Sequence, residues 1–408
     1  MIKHQINKFM VLYGILVFAY LISNLESVQG DYFFSNMKYI MMLIIILVAF
    51  SSKKIINDTF TKIPKIFIVL IATFVLFPLI GFLKYGSYQI VLNAMLSLIY
   101  ILLLMVTLNI IKEEIVYRKM INILYYSVFV FLLLLLVLNG ESLININNIT
   151  NAFNLDDRIR QTYGLKHANT LGNICLIFII VGLKKKQWCI YKKEKLFVLF
   201  LEAIALFVML NSGSRTALTA SVVLYFLFYL NKYILFNNKL LNRISVIMGS
   251  IFLILCILCL MYFKETINLN ELLANSNRYY WWVDTIKFLG NNMNILIGLG
   301  YVNISYFYQN MQFSTNLVTD NWFLYTYMTL GLIGIISSLI IILVILSKMF
   351  RHTQKYKNIA YMYILSLIIT GIYYACFEAV YFTPSELLSF IYWIFILRFL
   401  NDKNNFSY

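Results

Sequence analysis

Arg215 stands in the run Asn211-Ser212-Gly213-Ser214-Arg215-Thr216, a turn of small polar residues between two long apolar stretches. A guanidinium is planar and always charged, so it can hold two phosphate oxygens at once. Gly and Ser around it let a ligand come close to the backbone. The plainer reading is a tight turn whose arginine reaches back to lipid headgroups, and both readings stand. A second polar run, Asp156-Asp157-Arg158-Ile159-Arg160-Gln161-Thr162-Tyr163-Gly164-Leu165-Lys166-His167-Ala168-Asn169, leads into another apolar stretch. Arg158, Arg160 and Lys166 offer positive charge there, or pair with the two aspartates in a solvated loop. His167 can accept a proton, although a lone histidine at a helix start is more often structural.

A third run is Asn277-Arg278-Tyr279-Tyr280-Trp281-Trp282-Val283-Asp284-Thr285-Ile286-Lys287. At helical spacing Tyr279, Trp282, Val283, Ile286 and Gly290 share one face, and Asn277, Asp284, Lys287 and Asn291 the other. The pattern predicts an amphipathic helix lying in a membrane interface. Arg278 at its start anchors it to headgroups or faces a phosphate. The fourth run, Thr319-Asp320-Asn321-Trp322-Phe323-Leu324, opens an apolar stretch. Thr and Asp are good helix N-caps. A carboxylate facing arginine-rich loops is also where a general base for a hydroxyl would sit. Glu202 lies inside an apolar run, where a charge is costly and therefore a functional candidate, but the sequence names no partner for it.

Other chemistries lack their residues. No outer loop carries Asp-x-Asp, so a divalent-metal nucleotide-sugar site is not supported. There is no Gly-x-Ser-x-Gly elbow, no Ser/His/Asp set and no phosphate-cradling loop ending in GK[ST], which argues against a serine hydrolase and an ATP-driven pump. The five Cys, at 175, 189, 256, 259 and 376, have neither disulfide-framework nor zinc spacing.

The elements that must carry these residues follow from composition. The chain has 408 residues, 62% hydrophobic and only 12% charged, with a mean hydropathy of +0.81. A soluble domain is about half apolar and a quarter charged, so this excess belongs to a polytopic membrane protein. Apolar runs near the ~20 residues that cross a bilayer fall at roughly 8–24, 38–52, 66–83, 89–111, 120–139, 168–183, 196–210, 216–236, 244–263, 321–347, 358–377 and 386–400. The expectation is an all-α transmembrane bundle of about twelve spans, forming one integral membrane domain over 1–408. Outer loops are expected at 140–167 and 264–320, the second large and carrying the amphipathic helix; a loop of that length is usually functional. With both termini cytoplasmic, the inner segments hold 24 of the 33 Lys and Arg but 5 of the 17 Asp and Glu. That asymmetry is the positive-inside pattern. It absorbs the net charge of +16, so no nucleic-acid partner is called for.

Taken in order, these motifs resemble the O-antigen ligase and polysaccharide polymerase superfamily. Its pattern has a Ser-Arg turn between spans, here Gly213-Ser214-Arg215. A long outer loop follows, opening on an Arg-aromatic helix, here Arg278-Tyr279-Tyr280-Trp281, and running to a Gly-x-Gly, here Gly298-Leu299-Gly300. It closes on a His-Asn-x-Tyr-Leu entry to a Gly-x-x-Gly span, here Asp320-Asn321-Trp322-Phe323-Leu324 with Gly331-Leu332-Ile333-Gly334. Tyr163-Gly164 and His167-Ala168-Asn169 look like the family's Gly/Asn entry to an earlier span. Asp320 replaces the family's His, which fits its polymerase side better than its ligases.

The resemblance implies a metal-independent glycosyltransferase in the bacterial plasma membrane, without cofactor. It would polymerise undecaprenyl-pyrophosphate-linked oligosaccharide at the outer face, alongside flippase and chain-length regulator proteins. Arg215, Arg278, Arg160 and Arg158, with Asn321, would bind the substrate. Asp320 would be the base, with His167 behind it. A ligase of the same superfamily, or a flippase or exporter of the same lipid-linked glycan, is the alternative.

Overall fold

The computed structural model describes residues 2–28, 30–60, 64–86, 88–139, 161–237, 295–298, 321–356 and 358–401. Those residues are helical for 84% of their length and hold no strand. The helices are α1 (Ile2–Ile22), α2 (Tyr32–Phe50), α3 (Lys53–Phe60), α4 (Lys65–Ile71), α5 (Phe77–Tyr85), α6 (Tyr88–Ile110), α7 (Glu114–Leu138), α8 (Ala168–Lys186), α9 (Lys192–Asn211), α10 (Arg215–Asn237), α11 (Trp322–Tyr356), α12 (Ile359–Ala375) and α13 (Leu387–Asn401).

Six helical stretches among the described residues are long and apolar enough to cross a membrane: Tyr32–Phe50, Lys65–Leu83, Tyr88–Ile110, Glu114–Leu138, Ala168–Lys186 and Trp322–Lys355. Ile6–Ile22, Ile359–Ala375 and Leu387–Leu400 are shorter apolar helices. The apolar run at 244–263, the loop at 140–160 and the loop at 264–320 apart from 295–298 lie outside the described residues. Several helices begin before their apolar runs do. In α2 the carboxylate of Asp31 caps the first turn, accepting from the Phe33 and Phe34 amides, so Tyr32 to Asn36, ahead of the apolar run, are recruited into the helix. Lys53–Phe60, which reads as loop in the sequence, forms the short helix α3 against α6.

The centre of the bundle is the last helix. Every residue from Leu387 to Phe399 in α13 is buried, and the helix packs against α12, α6, α8 and α1. A helix apolar all round belongs inside. Around it, α2, α7, α9 and α11 turn large apolar side chains outward, among them Leu47, Val137, Phe200 and Leu343. Such a mantle is what a hydrocarbon solvent accommodates and water does not.

Two departures from regular helix have local causes. Pro78 cannot donate to the carbonyl four residues back, and its ring crowds that carbonyl. The chain widens into a π turn over Ala72–Leu76, with the Phe77 amide reaching Ala72. The second lies in α11 at Gly331, where φ is 64° and ψ −160°, a region reserved in practice for glycine. The turn Ile295–Gly298 seats itself there. The Leu332 amide donates to the Ile295 carbonyl at 2.9 Å, and the Ile333 amide to Leu296 at 3.2 Å. The interrupted helix therefore leaves neither of these amides unpaired, as a non-polar solvent requires. A Cβ on Gly331 would lie 2.5 Å from the Leu296 carbonyl, and one on Gly298 2.5 Å from the Gly331 nitrogen.

Gly331→Ala is accordingly expected to lower stability by at least about 1–3 kcal/mol from backbone strain alone. It should depress the thermal midpoint in detergent. Gly14→Ala is the matched control: its Cβ would meet only Ile123 Cγ2 at 3.5 Å, and alanine is the better helix former. Equal midpoints for the two variants would remove the strained contact from the fold.

Candidate functional site

Four segments far apart in sequence meet at one end of the bundle: the start of α8, the turn before α10, the start of α11 and the loop after α12. The contact of α8 with α10 is close. A Cβ on Gly172 would collide with Ser214 Oγ and lie 2.9 Å from the Ala217 Cβ, so the missing side chain is what lets the turn dock. From α12, the Tyr373 hydroxyl donates to Thr219 Oγ1 at 2.8 Å, one turn beyond Arg215. The Tyr374 hydroxyl bonds Asn173 on α8. Asn169 Nδ2 donates to Glu378 Oε1 at 3.1 Å, and Glu378 is 7% exposed. Asn321 Nδ2 donates to the Cys376 carbonyl at 2.8 Å.

The loop that carries Glu378 is held from beneath by aromatic rings. Phe382 stacks on Phe74 with ring centres 4.1 Å apart and meets Tyr100 and Trp393 edge-on. Tyr381 meets Trp322, the first residue of α11, at 5.2 Å. Its carbonyl accepts from Trp393 Nε1 at 2.8 Å. Pro384 and Ser385 are tied to α1 and α2 through the Tyr20 hydroxyl and the Lys38 ammonium. Burial pushes the Glu386 carboxyl up, and Lys38 opposes that shift.

Arg215 opens α10 and is half-buried. The turn before it is built from its own small residues. Ser212 Oγ donates to the Met209 carbonyl at 2.7 Å and accepts from the Ser214 amide at 3.2 Å, while Gly213 sits at φ 64°. Two side chains beside Arg215 are buried without a hydrogen-bond partner: Asn211, 1% exposed, through both its amide atoms, and Ser214, 2% exposed, through its hydroxyl. Orphaned polar groups at the root of a turn are costly, and they are the donors and acceptors a bound polar ligand would engage.

The remaining sequence candidates divide sharply. His167 is exposed at the N-cap position of α8 and its side chain caps nothing. Asn321 holds two parts of the structure at once. Besides donating to Cys376, it accepts from the Leu324 amide at 2.9 Å. The cap of α11 is therefore Asn321, not the Asp320 that the sequence suggests. The Tyr163-Gly164 entry is a clasp. It bridges Leu25 through Leu165, the Glu26 amide donates to the Gly164 carbonyl, and Lys166 Nζ reaches the Ser23 carbonyl at 2.8 Å. Arg158, Arg160, Arg278, Asp320 and the amphipathic helix expected over 277–291 lie outside the described residues.

Glu378 does not stand out in the sequence. Its only signal there is a carboxylate in the short apolar stretch Phe377-Glu378-Ala379-Val380-Tyr381-Phe382 between two spans. Glu202, partnerless in the sequence, pairs with Lys186 at 2.5 Å and accepts from the Tyr225 hydroxyl at 2.7 Å. It packs against Gly182, where a Cβ would lie 2.5 Å from Oε1. That network ties α8, α9 and α10 together. Among the described residues no group of three or more His, Cys, Asp or Glu could hold a metal ion.

Helices of this length and apolarity define the class, an all-helical membrane protein. No protein-family model matches the chain, and no curated protein matches it.

Proposed function

We propose that this protein is a metal-independent glycosyltransferase that polymerises lipid-pyrophosphate-linked oligosaccharide repeat units. It would act at the outer face of a bacterial plasma membrane, with about twelve spans and both termini cytoplasmic. The observation that carries the reading is the convergence at one end of the bundle. The Arg215 turn, the His167–Asn169 helix start and the Asn321 helix start come from three motifs more than 150 residues apart overall, and a buried carboxylate, Glu378, joins them. Asn211 and Ser214, buried and unpartnered beside Arg215, add polar groups suited to a phosphate-bearing ligand.

The chemistry asks little else. An acceptor sugar hydroxyl attacks the anomeric carbon of the donor glycan. The new glycosidic bond forms as the bond to the pyrophosphate oxygen breaks, and the lipid pyrophosphate leaves with the electron pair. Pyrophosphate is a good leaving group and needs positive charge, not an acid; Arg215, with Arg278, Arg160 and Arg158, would supply it. The hydroxyl proton passes to a base, assigned to Asp320 with His167 behind it and Glu378 as the carboxylate added by the fold.

The test is purified protein in proteoliposomes with lipid-linked repeat units, in chelator and without added metal. A ladder of lengthening glycans is the expected product. Transfer of a single finished glycan to another acceptor would make it a ligase. Movement of repeats across the bilayer without lengthening would make it a flippase. An absolute need for divalent metal would sink the arginine-based mechanism.

A further inference from the structure

At the end of the bundle opposite the candidate site, three cations crowd one carboxylate. Arg118 Nε lies 3.2 Å from Glu114 Oε1, and Arg398 Nη2 lies 2.6 Å from Glu114 Oε2. Arg398 also donates to the Ile111 carbonyl. Each carboxylate oxygen thereby already accepts from one arginine. The third cation is Lys184, only 5% exposed. Its ammonium donates to Gln187 Oε1 at 3.2 Å. Otherwise it faces rings, with centres at 5.0 Å for Trp188, 5.7 Å for Tyr363 and 6.0 Å for Tyr117. Arg118 shares the Trp188 ring, at 5.3 Å.

Ring faces attract a cation but do not replace oxygen acceptors for its three donors. Once Gln187 Oε1 faces the ammonium, the donor of that amide is Nε2, and Nε2 is buried without an acceptor. The neighbouring lysines are already placed. Lys186 is paired with Glu202, and Lys185 lies over the Tyr126 ring at 3.8 Å. What remains is a buried surplus of positive charge and two polar groups, the Lys184 ammonium and the Gln187 amide, short of acceptors. A buried charge in this condition is costly unless an anion meets it. Arg118, whose side chain is 43% exposed, leaves the cluster open on one side.

We propose that Lys184, Gln187 and Arg118, beside the Trp188 ring, form a binding site for a phosphate group. A phosphate has enough oxygens to accept from all three side chains at once, and charge-assisted bonds of this kind are the strong ones. The source is the headgroup of an anionic phospholipid or free phosphate; the same three side chains serve either. This site is independent of the proposed polymerase activity and lies at the other end of the molecule.

Native mass spectrometry of the full chain in detergent tests it, with phosphatidylglycerol and phosphatidylcholine titrated in turn. A lipid site predicts preferential retention of phosphatidylglycerol by about tenfold, lost in Lys184→Met and reduced in Arg118→Gln. Arg351→Gln, at an exposed cation near the same end, should change nothing. If the two lipids are retained equally, inorganic phosphate is the second probe. A thermal midpoint raised by phosphate over equal chloride, in wild type but not in Arg118→Gln, assigns the site to free phosphate. Where Lys184→Met does not fold, Arg118→Gln alone decides both arms. Equal retention of the lipids with no phosphate effect, or retention unchanged in Arg118→Gln, overturns the proposal.

Discussion

Asp320→Asn is expected to slow glycan polymerisation by about 10²- to 10⁴-fold, the usual worth of a positioned general base. Asparagine keeps the size of the side chain and its hydrogen-bonding capacity while removing its basicity. The capping of α11 does not complicate the result, because Asn321 accepts the Leu324 amide. The measurement is the rate of chain lengthening in proteoliposomes at matched protein insertion. Glu378→Gln must be run beside it. Glu378 is the buried carboxylate that the fold places against Asn169, and it stands at the same end as the Arg215 turn. Full activity in Asp320→Asn with loss in Glu378→Gln would move the base to Glu378. Full activity in both would rule out a carboxylate base and leave His167 as the remaining candidate; full activity in His167→Asn as well would make the mechanism fail.

Arg215→Lys separates two roles that Arg215→Ala alone cannot. If Arg215 holds two phosphate oxygens of the donor, lysine keeps the charge but loses the planar fork. Lysine should then fail nearly as badly as alanine. Losing one charge-assisted contact costs about 1.5–3 kcal/mol, or roughly ten- to a hundred-fold in rate. If Arg215 only reaches for headgroups, lysine should substitute fully and alanine should cost little. The surroundings favour the first outcome. The residue opens a helix of 23 residues, whose N-terminal end favours an anion, next to the side chains of Asn211 and Ser214, both buried without a hydrogen-bond partner. The readout is the same lengthening assay, with the apparent affinity for donor followed separately from the maximal rate. Unchanged values for both variants would remove Arg215 from the site.

Much of this protein is legible in the order of its residues. Hydrophobic excess and the recurrence of apolar runs announce helices fit for a membrane, because in hydrocarbon the backbone must satisfy its own hydrogen bonds and the helix does so locally. The Asn211–Thr216 turn is legible too, since Gly and Ser between two apolar runs have few other uses. Helix starts are less so: α2 begins at Tyr32, ahead of its apolar run, because a single Asp31 carboxylate satisfies two of its first amides.

What only the tertiary structure decided is which segments meet. Hydropathy treats every apolar run alike, yet α13 is enclosed along its length while α2 and α9 are half open, a difference set by neighbours and not by composition. Gly298 and Gly331 belong to two separate short glycine motifs in the chain, and nothing local says that they meet; pressed together, they break α11 and hand two of its amides to Ile295 and Leu296. Glu202 acquires Lys186 and Tyr225 from two other helices. Glu378 lies 209 residues from Asn169, and no local pattern encodes a contact across such a distance. A sequence specifies local backbone preference and the faces that must be hidden. The pairing of those faces is a property of the whole packed bundle, and it is that packing which brings the Arg215 turn, Asn169, Asn321 and Glu378 to one end.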